Sequence, residues 1–175
     1  MSKTAIFYSP EGGSVNFVAN MLGKMIGVDK VDITLLSEVE KEDIIKNKQI
    51  ILVCSTVGAD HWNNEIVVDD WPEFYAMIEE ISLEDKKFAI VGLGNSVLYP
   101  EHFADRMAVI YEKLKNQNAK IFGSVEAEGY DFTDSDALDD DGSFCGLPID
   151  EDNEQELTEG RLEKWIALLR SDFDF

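Results

Sequence analysis

Basic residues are scarce in this sequence: 15 Lys and Arg stand against 36 Asp and Glu, a formal net charge of −21. A field of that sign repels nucleic-acid phosphates and anionic membrane surfaces, which argues against both as partners, and it steers basic proteins inward at rates that fall with salt. Cysteine is scarcer still. The two thiols, Cys54 and Cys145, are too few for a disulfide framework and lack the spacing of metal ligands, so both read as free thiols. Long apolar runs are missing as well. No window approaches the roughly 18 consecutive apolar residues of a membrane-spanning helix, and MSKTAIFYSPEGG has neither the basic start nor the apolar stretch of a secretory signal. A cytoplasmic location is the expectation. No internal repeat or Pro-rich linker divides the 175 residues, and 45% hydrophobic content suffices for one sizeable core. Residues 1–175 therefore read as a single domain.

What is present is an alternation. TAIFYS, VDITLL, QIILVCS and KFAIVGLG are short apolar runs bounded by turn residues, the signature of buried parallel strands. Apolar residues recurring at three and four mark helices between and after them. Val15, Val18, Ala19, Leu22, Met25 and Ile26 form a first stripe behind Ser14 as N-cap. Trp71, Phe74, Tyr75 and Ile78 form another, as do Phe103, Met107, Ile110, Tyr111 and Leu114, and finally Leu162, Trp165, Ile166 and Leu169. Ser37 to Asn47 suits a short crossover helix, and AKIFGSVEA a fifth strand. Five alternations predict an α/β sandwich of three layers, a five-stranded parallel sheet with helices on both faces. The stretch EGYDFTDSDALDDDGSFCGLPIDEDNEQ is too long and polar for an ordinary connection. It reads as an insertion into the last strand, with SFCGLPI returning to the sheet.

Ligands of open α/β sheets bind at the carboxyl ends of the strands near the switch in strand order. The loops there read SPEGGS, STVGADHWNN and GLGNSVLYPEH. The first carries Ser9, Gly12, Gly13 and Ser14 directly into a helix. Glycines admit a ligand close to the backbone, and the helix end offers unpaired N–H groups and partial positive charge, a phosphate cradle. It has no Lys or Arg and is no Walker loop, and it lacks the third glycine of a dinucleotide fingerprint. Trp62 in the second loop and Tyr99 in the third suit a flat ligand held between rings.

A phosphate turn after strand one, a Thr-containing aromatic loop after strand three, and GLGNSVLYPEHFAD after strand four together resemble flavodoxins. The tail GYDFTDSDAL, then GLPIDEDNEQELTEGRLEKWIALLRSDF, is similar to the long-chain members, and the resemblance spans essentially the whole chain. It implies a flavodoxin-like fold, bound FMN, no catalytic residues of its own, and low-potential one-electron transfer between redox proteins. It places Ser9, Pro10, Glu11, Gly12, Gly13 and Ser14 in the phosphate loop, with Glu11 where the family has a hydroxyl and Pro10 lacking a backbone donor. Ser55, Thr56, Val57 and Gly58 open the ring loop. Val57 stands where the family commonly has Trp, and Trp62 supplies that ring if GADH is an insertion. Gly94, Asn95, Tyr99 and His102 follow strand four, with Tyr99 as the outer stacking residue and Asn95 where the family often has Asp. Asp152 falls where related chains contact the ribityl region.

The implied partners are basic-surfaced redox proteins such as a flavodoxin/ferredoxin NADP reductase or a 2-oxoacid oxidoreductase, met by a monomer. Asp60, Glu65, Asp69 and Asp70, or the six aspartates of the insertion, would face them. Two other functions share the layer architecture. An FMN-dependent NAD(P)H quinone reductase would need a nicotinamide site, for which no basic pocket is visible. A phospho-receiver domain would need paired acids after strand one and a Lys after strand five, where this chain has YSPEGG and SVEAEG.

Overall fold

Runs of branched and aromatic residues without polar alternation need cover on both faces, and the chain supplies it. The computed structural model describes residues 3–56 and 69–175. β1 (Thr4–Ser9), β2 (Val31–Leu35), β3 (Gln49–Ser55) and β4 (Lys87–Leu93) pair in parallel. The fifth strand position is filled by two pieces. β5 (Lys120–Phe122) pairs with Lys87–Ala89 at the start of β4. After an antiparallel ribbon of β6 (Val125–Glu126) and β7 (Ser143–Phe144), β8 (Leu147–Ile149) pairs with Val91–Leu93 at its end. The order is β2-β1-β3-β4-β5, with β8 beside β4. The split strand is the insertion expected from the sequence, although of SFCGLPI only Leu147–Ile149 rejoins the parallel sheet while Ser143–Phe144 pairs in the ribbon.

Alternation along each strand sorts the core into two layers. Phe7, Leu52, Phe88 and Ile90 face α3 (Trp71–Glu79) and α4 (Arg106–Asn116), which contribute Trp71, Phe74, Met107 and Ile110. Ile6, Ile51, Val53 and Val91 face α1 (Gly13–Ile26) and α5 (Gln155–Leu169), which contribute Val18, Leu22, Leu162 and Trp165. The short α2 (Lys41–Lys46) joins β2 to β3 after a 3-10 turn, Leu36–Glu38. A capping box between Glu40 and Asp43 starts it.

Two local expectations differ from the structure. α1 begins at Gly13 with Gly12 as its N-cap, so Ser14 lies inside the helix. Phe103 precedes α4 and is buried in the turn before it, because Ala104 adopts a left-handed φ of 57° and breaks the helical register.

Most of the insertion's polar residues face water, but its aromatics do not. Tyr130, Phe132 and Phe144 pack around Phe103, with ring centroids 5.6 Å apart for Phe103 and Phe132. Backbone bonds fasten the same segment to the loop after β4: Thr133 N and Asp134 N donate to Pro100 O, and Ser135 Oγ donates to Phe103 O. The insertion thus braces the loop that carries Tyr99. Its return requires Gly146, since a Cβ there would lie 2.3 Å from the Ile90 carbonyl oxygen.

Candidate functional site

β1 leaves the sheet toward β2 and β3 leaves it toward β4, so the loops after β1 and β3 diverge and open a crevice at their carboxyl ends. A cavity of about 360 Å³ occupies it. Of the residues singled out in the sequence, Pro10, Gly12, Gly13, Ser14, Ser55, Thr56, Gly94, Asn95, Tyr99, His102 and Asp152 all line this one cavity. Ser9 and Glu11 do not. The Ser9 hydroxyl is 2% exposed and donates to Asp70 Oδ2 at 2.7 Å, while Glu11 is exposed to solvent. Val57, Gly58 and Trp62, with the acids Asp60 and Glu65, lie outside the described residues.

The turn after β1 is shaped by its glycines. Gly12 has φ 77° and ψ −175°, a region open essentially to glycine alone, and Gly13 follows at φ 65°. A Cβ at either would meet nothing within 4 Å, so backbone conformation rather than crowding demands glycine. α1 starts there with no side-chain cap and no acidic residue in its first turn. Its first N–H groups are left for a ligand, and the helix dipole favours that ligand being an anion. Among the described residues no Lys or Arg lines the cavity, so backbone alone supplies the positive potential. That donor set, beside apolar Leu93 and Leu98 and the half-buried ring of Tyr99, fits a flat molecule with a phosphate at one end.

The opposite wall, residues 94–99, is held from below. Asp150 at the end of β8 is 0% exposed. Its carboxylate accepts from Ser96 N (3.0 Å), Ser96 Oγ (2.5 Å), Asn153 N (3.1 Å) and Asn153 Nδ2 (3.0 Å). Burial works to raise its pKa, but the Ser96 and Asn153 donors together outweigh burial and hold the carboxyl below the usual range. Its stabilising contribution is fully present above the ordinary value of 3.8 and is lost as pH falls through the depressed one. Asn95 is similarly engaged: its Oδ1 accepts from Val97 N, Leu98 N and Asn153 Nδ2, and its Nδ2 donates to Asp152. The Asn95 side chain shapes its own loop, leaving backbone to face a ligand. Gly94 is fixed by close packing, since a Cβ would sit 2.7 Å from Ala104 N.

Sequence reasoning missed Asp150, Ser96 and Asn153; the signal was their place in loops already singled out, GLGNS and DEDN. It also missed Arg106, the first residue of α4, whose guanidinium pairs with Asp69 at 3.2 Å and whose N–H approaches Thr56 Oγ1 at 3.4 Å. Nothing in the sequence brings 69 and 106 together. Cys54 is buried beneath the site and burial drives its thiol far up, while burial pushes Cys145 up to about 12. Burial thus favours the neutral thiol at both positions.

The chain resembles known proteins along nearly its whole length. A family model described as Flavodoxin matches residues 6–165. The flavodoxin of Nostoc sp. is 32% identical over 171 residues, 98% of this chain and 97% of that one. Flavodoxin 1 of Azotobacter vinelandii is 34% identical over 177 residues, 99% and 98% of the two chains. Among solved structures, a mutant flavodoxin of Fusobacterium nucleatum bound to flavin mononucleotide superposes with a TM-score of 0.86 at 25% identity, covering 99% of this chain and 98% of that one.

Proposed function

Since this chain belongs to the flavodoxin family, we propose that its 175 residues act as one FMN-binding unit whose phosphate sits on the turn at Gly12 and Gly13. The protein is an FMN-based electron carrier and not an enzyme. Bound FMN supplies one-electron chemistry; the chain supplies binding, orientation and electrostatics. The observation that carries the reading is the uncapped, acid-free start of α1 opening into the cavity that Tyr99 walls.

Each wall has a role in this reading. Backbone N–H groups from Gly12 to Val15 bind the phosphate oxygens through charge-assisted hydrogen bonds. Ser14 adds a hydroxyl, and Glu11 turns its carboxylate to solvent so that only its backbone stays near. Tyr99 lies against one ring face, and Ser55, Thr56, Gly94 and Asn95 meet the ring edge. His102 and Asp152 flank the rim. Carboxylates around the site would disfavour added negative charge on a bound cofactor and so would lower its potential. A carboxylate about 10 Å away in water-like surroundings contributes roughly 0.4 kcal/mol, and three or four of them about 50–70 mV.

Partner docking follows the charge. Asp69 is paired with Arg106 and Asp70 accepts from Ser9, so both are partly committed. Asp131, Asp134, Asp136, Asp139, Asp140 and Asp141 of the insertion are exposed, and among the described residues none pairs with Lys or Arg. They are the better docking surface for a basic redox protein in the cytoplasm. Electron transfer to such a reductase is expected to slow about tenfold or more between low and high salt in rapid mixing; rates indifferent to salt would discount acidic steering.

The function itself is tested by adding FMN to the cofactor-free chain and reducing the product stepwise. Tight binding and two separate one-electron steps in the absorption spectrum are expected. Failure to bind FMN would sink the reading, and steady NAD(P)H turnover with quinone by the protein alone would replace it with a reductase.

A further inference from the structure

The most heavily hydrogen-bonded carboxylate near the site does not line the cavity. Asp150 closes β8, the returning half of the split strand, and its buried carboxylate collects four donors from two residues, Ser96 and Asn153. Ser96 lies in the middle of the wall from Gly94 to Tyr99. Asn153 passes the contact on, donating also to Asn95 Oδ1, which in turn receives Val97 N and Leu98 N. The turn that carries Tyr99 closes on the same residue, Tyr99 N donating to Asn95 O at 2.9 Å. Beside the bonds from Gly94 N to Ile149 O and from Asn95 Nδ2 to Asp152, the side-chain restraints on Ser96 and on Asn95 Oδ1 thus lead back to one anion.

We propose that Asp150 is a positioning residue of the flavin site: through Ser96 and Asn153 it fixes the conformation of residues 94–99 and so the placement of Tyr99 and the Gly94–Asn95 backbone against the flavin ring. The inference rests on the flavin-binding reading above. An anion suits this position because Ser96 N, Asn153 N and Asn153 Nδ2 can only donate and Ser96 Oγ donates beside them, whereas a neutral amide keeps one acceptor oxygen and turns its N–H hydrogens toward those donors. The apolar layer beneath, Val91, Leu147 and Ile149 packed on α1 and α5, does not depend on that anion. Loss of the carboxylate therefore loosens the wall without dissolving the core. The phosphate turn at Gly12 lies on a separate loop, between β1 and α1.

The test is Asp150→Asn, with Ser96→Ala as the milder variant, each measured in the full chain for FMN affinity, riboflavin affinity and the two one-electron midpoint potentials. Riboflavin has the ring but no phosphate, so it reports the ring wall alone. Asp150→Asn is expected to weaken FMN and riboflavin by the same factor, about tenfold, and to shift the spacing of the two potentials. Ser96→Ala is expected to do the same at about threefold, with the urea midpoint of the cofactor-free chain lowered less than in Asp150→Asn. Unchanged riboflavin affinity and unchanged potentials in a folded Ser96→Ala or Asp150→Asn chain would overturn the proposal. If the parent chain binds neither FMN nor riboflavin, the flavin-binding reading fails and takes this inference with it.

Discussion

Replacing Gly12 with valine is expected to weaken FMN binding by at least about 100-fold while riboflavin binding stays within about threefold. The backbone at Gly12, φ 77° and ψ −175°, lies where a side chain costs about 1–3 kcal/mol, and a β-branched residue is worse placed than most. The turn must therefore move, although the new side chain itself has open space around it. In the proposed binding mode, moving it swings the first N–H groups of α1 off the phosphate. Hydrogen bonds to a charged group contribute about 1.5–3 kcal/mol each, so losing two of them accounts for the two orders of magnitude or more. No cationic side chain lines the cavity among the described residues to take over. Isothermal titration with both ligands separates the terms: riboflavin lacks the phosphate and should not sense the change. Equal losses for both ligands would mean that the turn supports the ring, and retention of FMN would remove the phosphate from this turn.

The architecture was legible because burial leaves a pattern that a single sequence displays. The runs TAIFYS and QIILVCS coincide with β1 and β3, since a strand covered on both faces tolerates no polar alternation. The insertion was visible as a polar excess. Its attachment was not, because the contacts that hold it, Ser135 to Phe103 and Phe132 stacked on Phe103, join residues about thirty positions apart with no local signature. The site divides in the same way. Gly12 and Gly13 announce themselves, since positive φ selects glycine. Ser14 reads as a cap because Ser at a helix start is a strong local preference, whereas Gly12 holds that position. Asp150 shows the opposite case: its DEDN loop stood out in the sequence, but among so many acidic residues the one buried carboxylate is picked out by the four donors that the fold brings to it.

Replacing Tyr99 with alanine is expected to weaken FMN and riboflavin alike by roughly 30-fold, about 2 kcal/mol of stacking and apolar contact. The same change should raise the potential of the second reduction step by about 20–65 mV, the equivalent of roughly 0.5–1.5 kcal/mol for one electron. The sign follows from what the ring does. Its electron-rich face and the water it excludes both disfavour negative charge on the cofactor, so they destabilise the fully reduced, anionic form more than the oxidised, neutral one. Removing the ring admits water and relieves that bias. The loop itself should survive, because its restraints at this point are backbone bonds, Tyr99 N to Asn95 O and His102 N to Tyr99 O, together with the Asp150 contacts to Ser96. Tyr99→Phe keeps the ring and should keep both affinity and potential, which separates stacking from any role of the hydroxyl. Spectroelectrochemical titration of the two variants decides the matter. A Tyr99→Ala protein with parental potentials would take Tyr99 off the ring and leave the potential to the carboxylates, whereas a fall in potential would reverse the electrostatic argument altogether.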